Sequence, residues 1–344
     1  MVGVIRTDSR APRKSPDIAD AEFVAQAESF RRELFAHCYR MVGSVHEAED
    51  LVQETYLRAW QALGSFERRS SMRTWLYRIA TNACLNDMDA ARRRALPMQL
   101  WPAADPRDEV TERTDIPWLE PLPLGRTGGA NREDSAEDAV IERESTRLAF
   151  VAMLQTLTPR QRAILLLRDV LRFKAAETAE ILETTTTAVN SGLRRAREQV
   201  AARATATPSE PAEPERRRRL DQYVAAWEAK DVPAIVALLS SDAIWEMPPL
   251  TAWYRGAENI GRHLAERCPV GPGQAVLVPV EANGQPAFAT YTREPDGSLR
   301  PEFLQVLDLG ADGIEHVYAF VGSRVFELFD LGPGDLGSGG PDRP

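Results

Sequence analysis

Asp50, Gln53 and Glu54 stand at i, i+3 and i+4, the spacing that places three side chains on one face of a helix. Two carboxylates around a carboxamide offer acceptors and a donor to a partner surface. A second set is cationic: Arg68, Arg69, Arg73 and Arg78 with Asn82. These groups hold a phosphate backbone and an unstacked base, and Trp75 and Tyr77 are interleaved with them. Trp75 falls on an apolar stripe, so core packing and base stacking both stay open for it. A third set, Thr186, Thr187, Asn190, Arg194, Arg195 and Arg197, shares one side of a helical stretch. Its hydroxyls and carboxamide suit base edges, and its guanidiniums suit phosphates.

Punctuation in the chain supplies the elements that would position these groups. Phe23, Phe30, Leu34, Phe35, Cys38 and Val42 recur at helical spacing until Gly43. Ser44 with Glu47 three residues on reads as a capping box for the next helix. There Leu51, Val52, Tyr56, Ala59 and Trp60 form an apolar stripe, opposite Asp50, Gln53 and Glu54. Met72, Trp75, Leu76, Ile79 and Ala83 start a third helix, which ends at Arg92, Arg93 and Arg94. Further on, Thr158-Pro159 opens a run of helices over about 159–170, 174–182 and 186–203, the length of a helix-turn-helix. Its corner is Glu183-Thr184-Thr185 rather than a glycine, which leaves the corner geometry open. Gly192 interrupts the last helix, where alanine would be about 1 kcal/mol better. Either DNA approaches closely there or the helix is soft.

Net charge is −9 over 344 residues, an acidic balance that obscures local asymmetry. Residues 65–95 carry seven Arg against three acids, and 158–203 carry nine basic residues against five acids. The stretch 96–140 carries four Arg against ten acids. Phosphate attraction is local, because screening acts over about 8 Å in physiological salt. Cys38, Cys84 and Cys268 are scattered, with no pair at metal-ligand spacing, and read as reduced thiols; no metal and no cofactor are expected. No run of eighteen apolar residues exists and the N-terminus lacks a signal-like core, so a cytoplasmic location is expected, with no membrane partner.

Composition divides the chain further. Residues 1–20 read as a disordered leader, 21–95 as a helical unit and 96–136 as an acidic, Pro-rich linker. That linker is either a solvated tether or, because of Trp118-Leu119-Glu120-Pro121-Leu122, a segment that docks. Residues 137–203 form the second helical unit, 204–215 a second linker, 216–332 a last domain and 333–344 a disordered tail. In the last domain, helices over 216–230, 232–239 and 257–267 accompany strand-like runs at 243–247, 274–281, 286–293, 301–309 and 313–321. Helices with a largely antiparallel sheet make an α+β cone, so the chain is multidomain, with two all-α domains followed by that cone. Candidate pocket-lining groups are Trp227, Trp245, Trp253, Tyr254, Phe288, Tyr291 and Phe303. His263, His316, Glu246 and Asp242 are the few acid–base groups, and none has a partner at useful spacing, so no enzyme activity is expected. Arg216 to Arg219 could touch DNA or simply begin a solvated helix.

The run Asp50-Leu51-Val52-Gln53-Glu54, then Phe66, then Arg73 through Asn82, resembles region 2 of extracytoplasmic-function (ECF) sigma factors of bacterial RNA polymerase. Thr158 to Arg162, with Ala188 through Arg197, resembles their region 4, and residues 216–332 resemble SnoaL-like cones. The resemblance implies core RNA polymerase as partner, through the coiled coil of its largest subunit and its flap. It also implies promoter DNA, with the minus-10 element met by region 2 and the minus-35 element by region 4. On this reading the cone regulates in cis or takes an unknown small ligand. The alternative is a helix-turn-helix regulator fused to a small-molecule-binding or isomerase-like domain, for which residues 47–89 would have no use.

Overall fold

The computed structural model describes residues 26–63, 71–90, 93–123, 136–202 and 210–332. Helices α1 (Arg31–Val42), α2 (Val45–Ala62) and α3 (Met72–Ala90) form the first bundle. Gly43 separates α1 from α2 at φ +74°, a left-handed position that suits glycine. A side chain there would also strike Leu119 Cδ1 at 2.8 Å. Ser44 caps α2 by accepting from the Glu47 N–H at 3.3 Å.

The second helical unit runs through α5 (Ala136–Thr146), α6 (Leu148–Leu154), α7 (Pro159–Leu165), α8 (Ala175–Ile181) and α9 (Thr186–Ala201); the one-turn α4 (Pro97–Leu100) lies in the linker before it. The expected cap holds: Thr158 and Gln161 form a reciprocal capping box at the start of α7. Leu166–Val170 continues α7 as a π-turn. Glu183 takes the left-handed corner at φ +48°, so the helix-turn-helix bend forms without glycine. Gly192 also has a local cause: a Cβ there would meet Ile164 Cδ1 at 2.6 Å. Close packing of α9 on α7, rather than DNA approach or a soft helix, accounts for it.

The last domain contains α10 (Glu213–Ala229), α11 (Val232–Leu238), β1 (Leu239–Glu246), β2 (Trp253–Arg255), α12 (Ala257–Glu266), β3 (Ala275–Ala282), β4 (Gln285–Arg293), β5 (Leu299–Gly310), β6 (Gly313–Val321) and α13 (Arg324–Leu328). Its six strands are ordered β2-β1-β6-β5-β4-β3, antiparallel except for the parallel β1–β6 pair. Side chains alternate between two buried faces. Val317, Ala319, Phe303 and Phe288 join Trp227 and Trp245 in the cone's own core. Tyr318, Phe320, Leu304, Val306 and Tyr291 join a second core shared with both helical units. The outer face of the sheet is therefore the surface against which the two helical units are assembled.

Over its described part, 96–123, the acidic linker is not a solvated tether: Leu119 and Leu122 are each 1% exposed within that shared core. Polar groups hold it on the cone. Asn283, left-handed at φ +56°, accepts from Leu122 N with Oδ1 and donates from Nδ2 to Tyr39 Oη and the Thr146 carbonyl, at 2.7, 2.8 and 2.7 Å. One side chain thus joins α1, the linker and α5 to the cone. A second clasp is Arg147, at the α5–α6 junction, which donates to Asp308 on β5 and to Glu210. Burial opposes the Arg147 charge, but Asp308, Glu210 and Glu144 together outweigh it and raise its pKa. No helix among the described residues is long and apolar enough to cross a membrane.

Candidate functional site

Three surfaces carry the chemically capable residues. On α2, Asp50 and Gln53 are exposed and Glu54 is half-exposed, where it pairs with Arg58 at 2.6 Å. Trp60 does not belong to the buried stripe as expected; it is 44% exposed, and Leu57 beside it is 64% exposed. The face that displays the carboxamide and carboxylates therefore also displays two large apolar groups. The buried stripe is narrower: Ala48, Leu51, Val52, Thr55 and Ala59. Leu57 was missed by sequence reasoning; its signal was its place at i+4 from Gln53.

Helix α3 is treated in the opposite way. Arg73 is bound to Glu33 of α1 at 2.9 Å and its guanidinium lies 4.6 Å from the Phe173 ring centroid and 5.1 Å from that of Tyr77. Phe173 belongs to the loop between α7 and α8, so the second helical unit partly covers this cation, whose side chain stays 34% exposed. Trp75 and Tyr77 are buried, and Tyr77 meets Phe173 edge-on at 5.2 Å. Core packing is thus the role of Trp75 here. Arg78 and Asn82 are half-buried. Arg68 and Arg69 lie outside the described residues. Burial raises the Tyr77 pKa, keeping a neutral phenol against Arg73.

Further along the same seam, Arg162 of α7 is 2% exposed and donates to Gln155 Oε1 at 2.6 Å and to the carbonyls of Met41 and Leu157. Burial, and then Arg93, push its pKa down to about 9. Phe173 and Arg162 carry no sequence pattern that separates them from ordinary helix residues.

The third surface is α9. Thr186, Thr187, Asn190, Arg194, Arg195 and Arg197 are all exposed on it, the arrangement a major-groove reader needs. Thr185 caps this helix by accepting from Ala188 N at 3.2 Å. Arg197 is held by Asp169 of the π-turn through two bonds at 2.9 and 2.6 Å. Such an exposed pair contributes about 0–1 kcal/mol, so a phosphate can replace Asp169 at little cost.

The cone holds a cavity of about 500 Å³, and of the expected lining groups Trp227, Trp245 and Phe303 face it. The other four are elsewhere. Tyr291 is on the opposite sheet face against Phe326, and Phe288 packs on Tyr223. Tyr254 is a buried partner of His263, and Trp253 donates its Nε1–H to the linker carbonyl of Trp101 at 2.8 Å. His316 and Glu246 do meet, at 2.8 Å, because β1 and β6 are parallel neighbours. Glu246 also accepts from Met98 N of the linker at 2.7 Å and is fully buried, so this pair secures the linker.

Residues 27–94 match Sigma-70 region 2, 147–200 match Sigma-70 region 4 and 220–314 match the SnoaL-like domain. The ECF RNA polymerase sigma factor SigG of Mycobacterium tuberculosis is 50% identical over 326 residues, covering 93% of this chain and 86% of that protein. SigJ of the same organism is 28% identical over 247 residues, covering 70% of this chain and 72% of its own length. The crystal structure of M. tuberculosis SigJ has the same fold, with a TM-score of 0.61 at 22% identity, covering 90% of this chain and all of that one. With both sigma regions in order and a relative alike over nearly its whole length, the chain belongs to the ECF RNA polymerase sigma factors and is a transcription initiation factor rather than a catalyst.

Proposed function

We propose that the exposed face of α2 is the handle for core RNA polymerase, through the coiled coil of its largest subunit, and that α9 reads upstream promoter duplex in the major groove. Asp50, Gln53 and Glu54 supply the polar contacts, with Leu57 and Trp60 as apolar anchors of the kind that dominate interface energy. Region 4 meets the flap, and Asn190 contacts a base while Arg194, Arg195 and Arg197 take phosphates. Arg73, Arg78 and Asn82 take the melted strand after Phe173 has left Arg73. The protein works in the cytoplasm, where the polymerase is.

The cone regulates in cis. Its outer sheet face and Asn283 hold the two sigma regions and the linker together, which keeps Arg73 partly covered. The observation that carries this reading is the pairing of an exposed α2 face with an α3 face whose Arg73 is partly covered by Phe173. Its test is co-elution with core enzyme. Wild-type chain is expected to associate, and Gln53→Ala with Glu54→Ala to weaken association at least tenfold with an unchanged unfolding midpoint. Undiminished association of the double variant would remove α2 as the handle. A small ligand of the cone is a second component of the reading, favoured by the cavity at Trp227 and Trp245.

A further inference from the structure

The cavity of the cone is built from an unusual combination of walls. Trp227 and Trp245 lie with centroids 6.1 Å apart and planes 28° apart, and Phe303 meets Trp227 edge-on at 5.7 Å. About 500 Å³ is the size of a pocket for a small organic molecule. Inside it the notable polar group is His263, 7% exposed, whose Nδ1 has no hydrogen-bond partner. Leaving such an atom unsatisfied costs about 1–3 kcal/mol, which a bound hydroxyl or carbonyl would recover. Desolvation pushes the His263 pKa down to about 4, so the ring is neutral at pH 7. The Glu302 carboxylate, also in the wall, is already engaged by Thr292 and Arg300. Arg267 also lines the cavity, bonded to the Arg107 carbonyl and opposed by the Glu109 and Glu302 carboxylates, so the wall carries no net positive charge for an anion, whereas flat apolar ligands find two indoles.

The remaining wall does not belong to the cone. Glu109 and Val110 of the linker line the cavity, and Val110 packs on the cone's core. This part of the linker is seated by backbone bonds: Ala104 N to the Trp253 carbonyl at 2.9 Å, Thr251 N to the Thr111 carbonyl at 2.8 Å and Arg113 N to the Pro249 carbonyl at 3.0 Å. Arg267 adds a bond to the Arg107 carbonyl at 2.7 Å. A molecule in the cavity touches the segment that joins the two sigma regions.

We propose that this cavity binds an uncharged, planar aromatic compound bearing a hydroxyl or carbonyl, and that the linker over it reads the occupancy. A ligand shifts an equilibrium only through contacts that differ between the two states. Contact with Val110 exists only while the linker is seated, so the ligand favours the closed arrangement and lowers transcription. The binding arm stands on the cavity alone; the transcription arm rests on the cis-regulation reading above.

The test is calorimetric titration of the full chain with 2-naphthol as probe, against cyclohexanol and 2-naphthoate, alongside amide hydrogen exchange of residues 104–113. Expected are saturable one-site binding of 2-naphthol at least ten times tighter than either comparator, slower exchange across 104–113 and reduced run-off transcription. His263→Leu is expected to weaken binding at least tenfold. Ala319→Leu, which fills the cavity from β6, is a second variant with the same expected loss should the first fail to fold. Absence of saturable binding, or full binding by both variants, overturns the site. Unchanged or faster exchange across 104–113 overturns the linker readout. A chain that co-elutes with core enzyme yet binds no probe loses this inference alone, and one that binds the probe but not the enzyme loses only the earlier reading.

Discussion

Helices α2 and α3 pack against each other in one bundle, yet the rest of the chain covers only one of their functional faces. Around α2, Gln53 and Leu57 are exposed, and Trp60 is 44% exposed. On α3, Arg73 is partly covered by Glu33, Tyr77 and Phe173, with 34% of its side chain exposed, and the cone and linker hold region 4 where it makes that contact. The contrast teaches an order of events. If α2 and α3 have the proposed roles, polymerase association would need no rearrangement, whereas strand capture by α3 would need region 4 to move, so the enzyme is expected to bind first and open the factor.

The largest effect should come from Asn283. Asn283→Gly keeps the left-handed backbone but removes three side-chain bonds, taking from the buried Leu122 N–H its side-chain acceptor. The closed arrangement should lose about 3–4 kcal/mol. Core-enzyme affinity should stay as in the wild type, while free chain should gain affinity for single-stranded promoter DNA. Fluorescence anisotropy with a labelled oligonucleotide checks this; equal loss on both faces would break the distinction between them.

Acid should act on the covered seam next. His37 is fully buried on α1, edge-on to Tyr77, with its Nε2 beside Thr81 Oγ1 at 3.0 Å. Desolvation, then Arg40 and Arg73, push its pKa down to about 3, and His263 in the cone is pushed down to about 4. Both folded values lie below the unfolded value of about 6.5, so the unfolded chain takes up the protons first. Stability is complete above pH 6.5 and falls as pH drops toward the folded values, by about 1.4 kcal/mol per pH unit for each histidine. Between pH 7 and 5.5 the two together should cost about 2.5 kcal/mol in urea titrations, and His37→Gln should remove half of that slope. A slope unchanged in His37→Gln would mean that the seam is not where acid acts. A smaller change is expected for Phe173→Leu, which keeps apolar volume but removes the ring over Arg73: about 1 kcal/mol of seam stability and a few-fold gain in oligonucleotide binding, measured as above.

Much of the fold was legible because short-range signals fix it. Ser44, Thr158 and Thr185 mark helix starts by capping chemistry, and alternation in the strands separates Tyr318 from Val317. The same alternation, applied more strictly, would have removed one pocket candidate: Phe288 and Tyr291 are three residues apart and face opposite ways, so only Phe288 shares the cone's own core. The site was less legible wherever it depends on assembly. The apolar positions on α2 exceed one buried face, and nothing local shows that Trp60 and Leu57 are the ones left out. Phe173 matters only because region 4 lands on α3, and His316 meets Glu246 only through a parallel pairing across 70 residues of sequence. The linker's docking rests on Asn283, 161 residues beyond Leu122.

The smallest expected effect tests whether α9 stands outside the contrast altogether. Its six candidate residues are exposed, as those of α2 are, and its corner carries strain of its own at Glu183, left-handed at φ +48°. A β-carbon in that region costs about 1 kcal/mol, so Glu183→Gly should relieve strain, offset in part by the greater freedom of glycine when unfolded. The net gain should be about 0.5 kcal/mol in region 4, read as a small rise in thermal midpoint. Glu183 itself is exposed, so core-enzyme association and oligonucleotide capture should be unaltered. If Glu183→Gly instead raised oligonucleotide binding by free chain as Phe173→Leu does, strain at the corner would be part of what holds region 4 on α3, and the covered face would be set by the helix-turn-helix as well as by the cone.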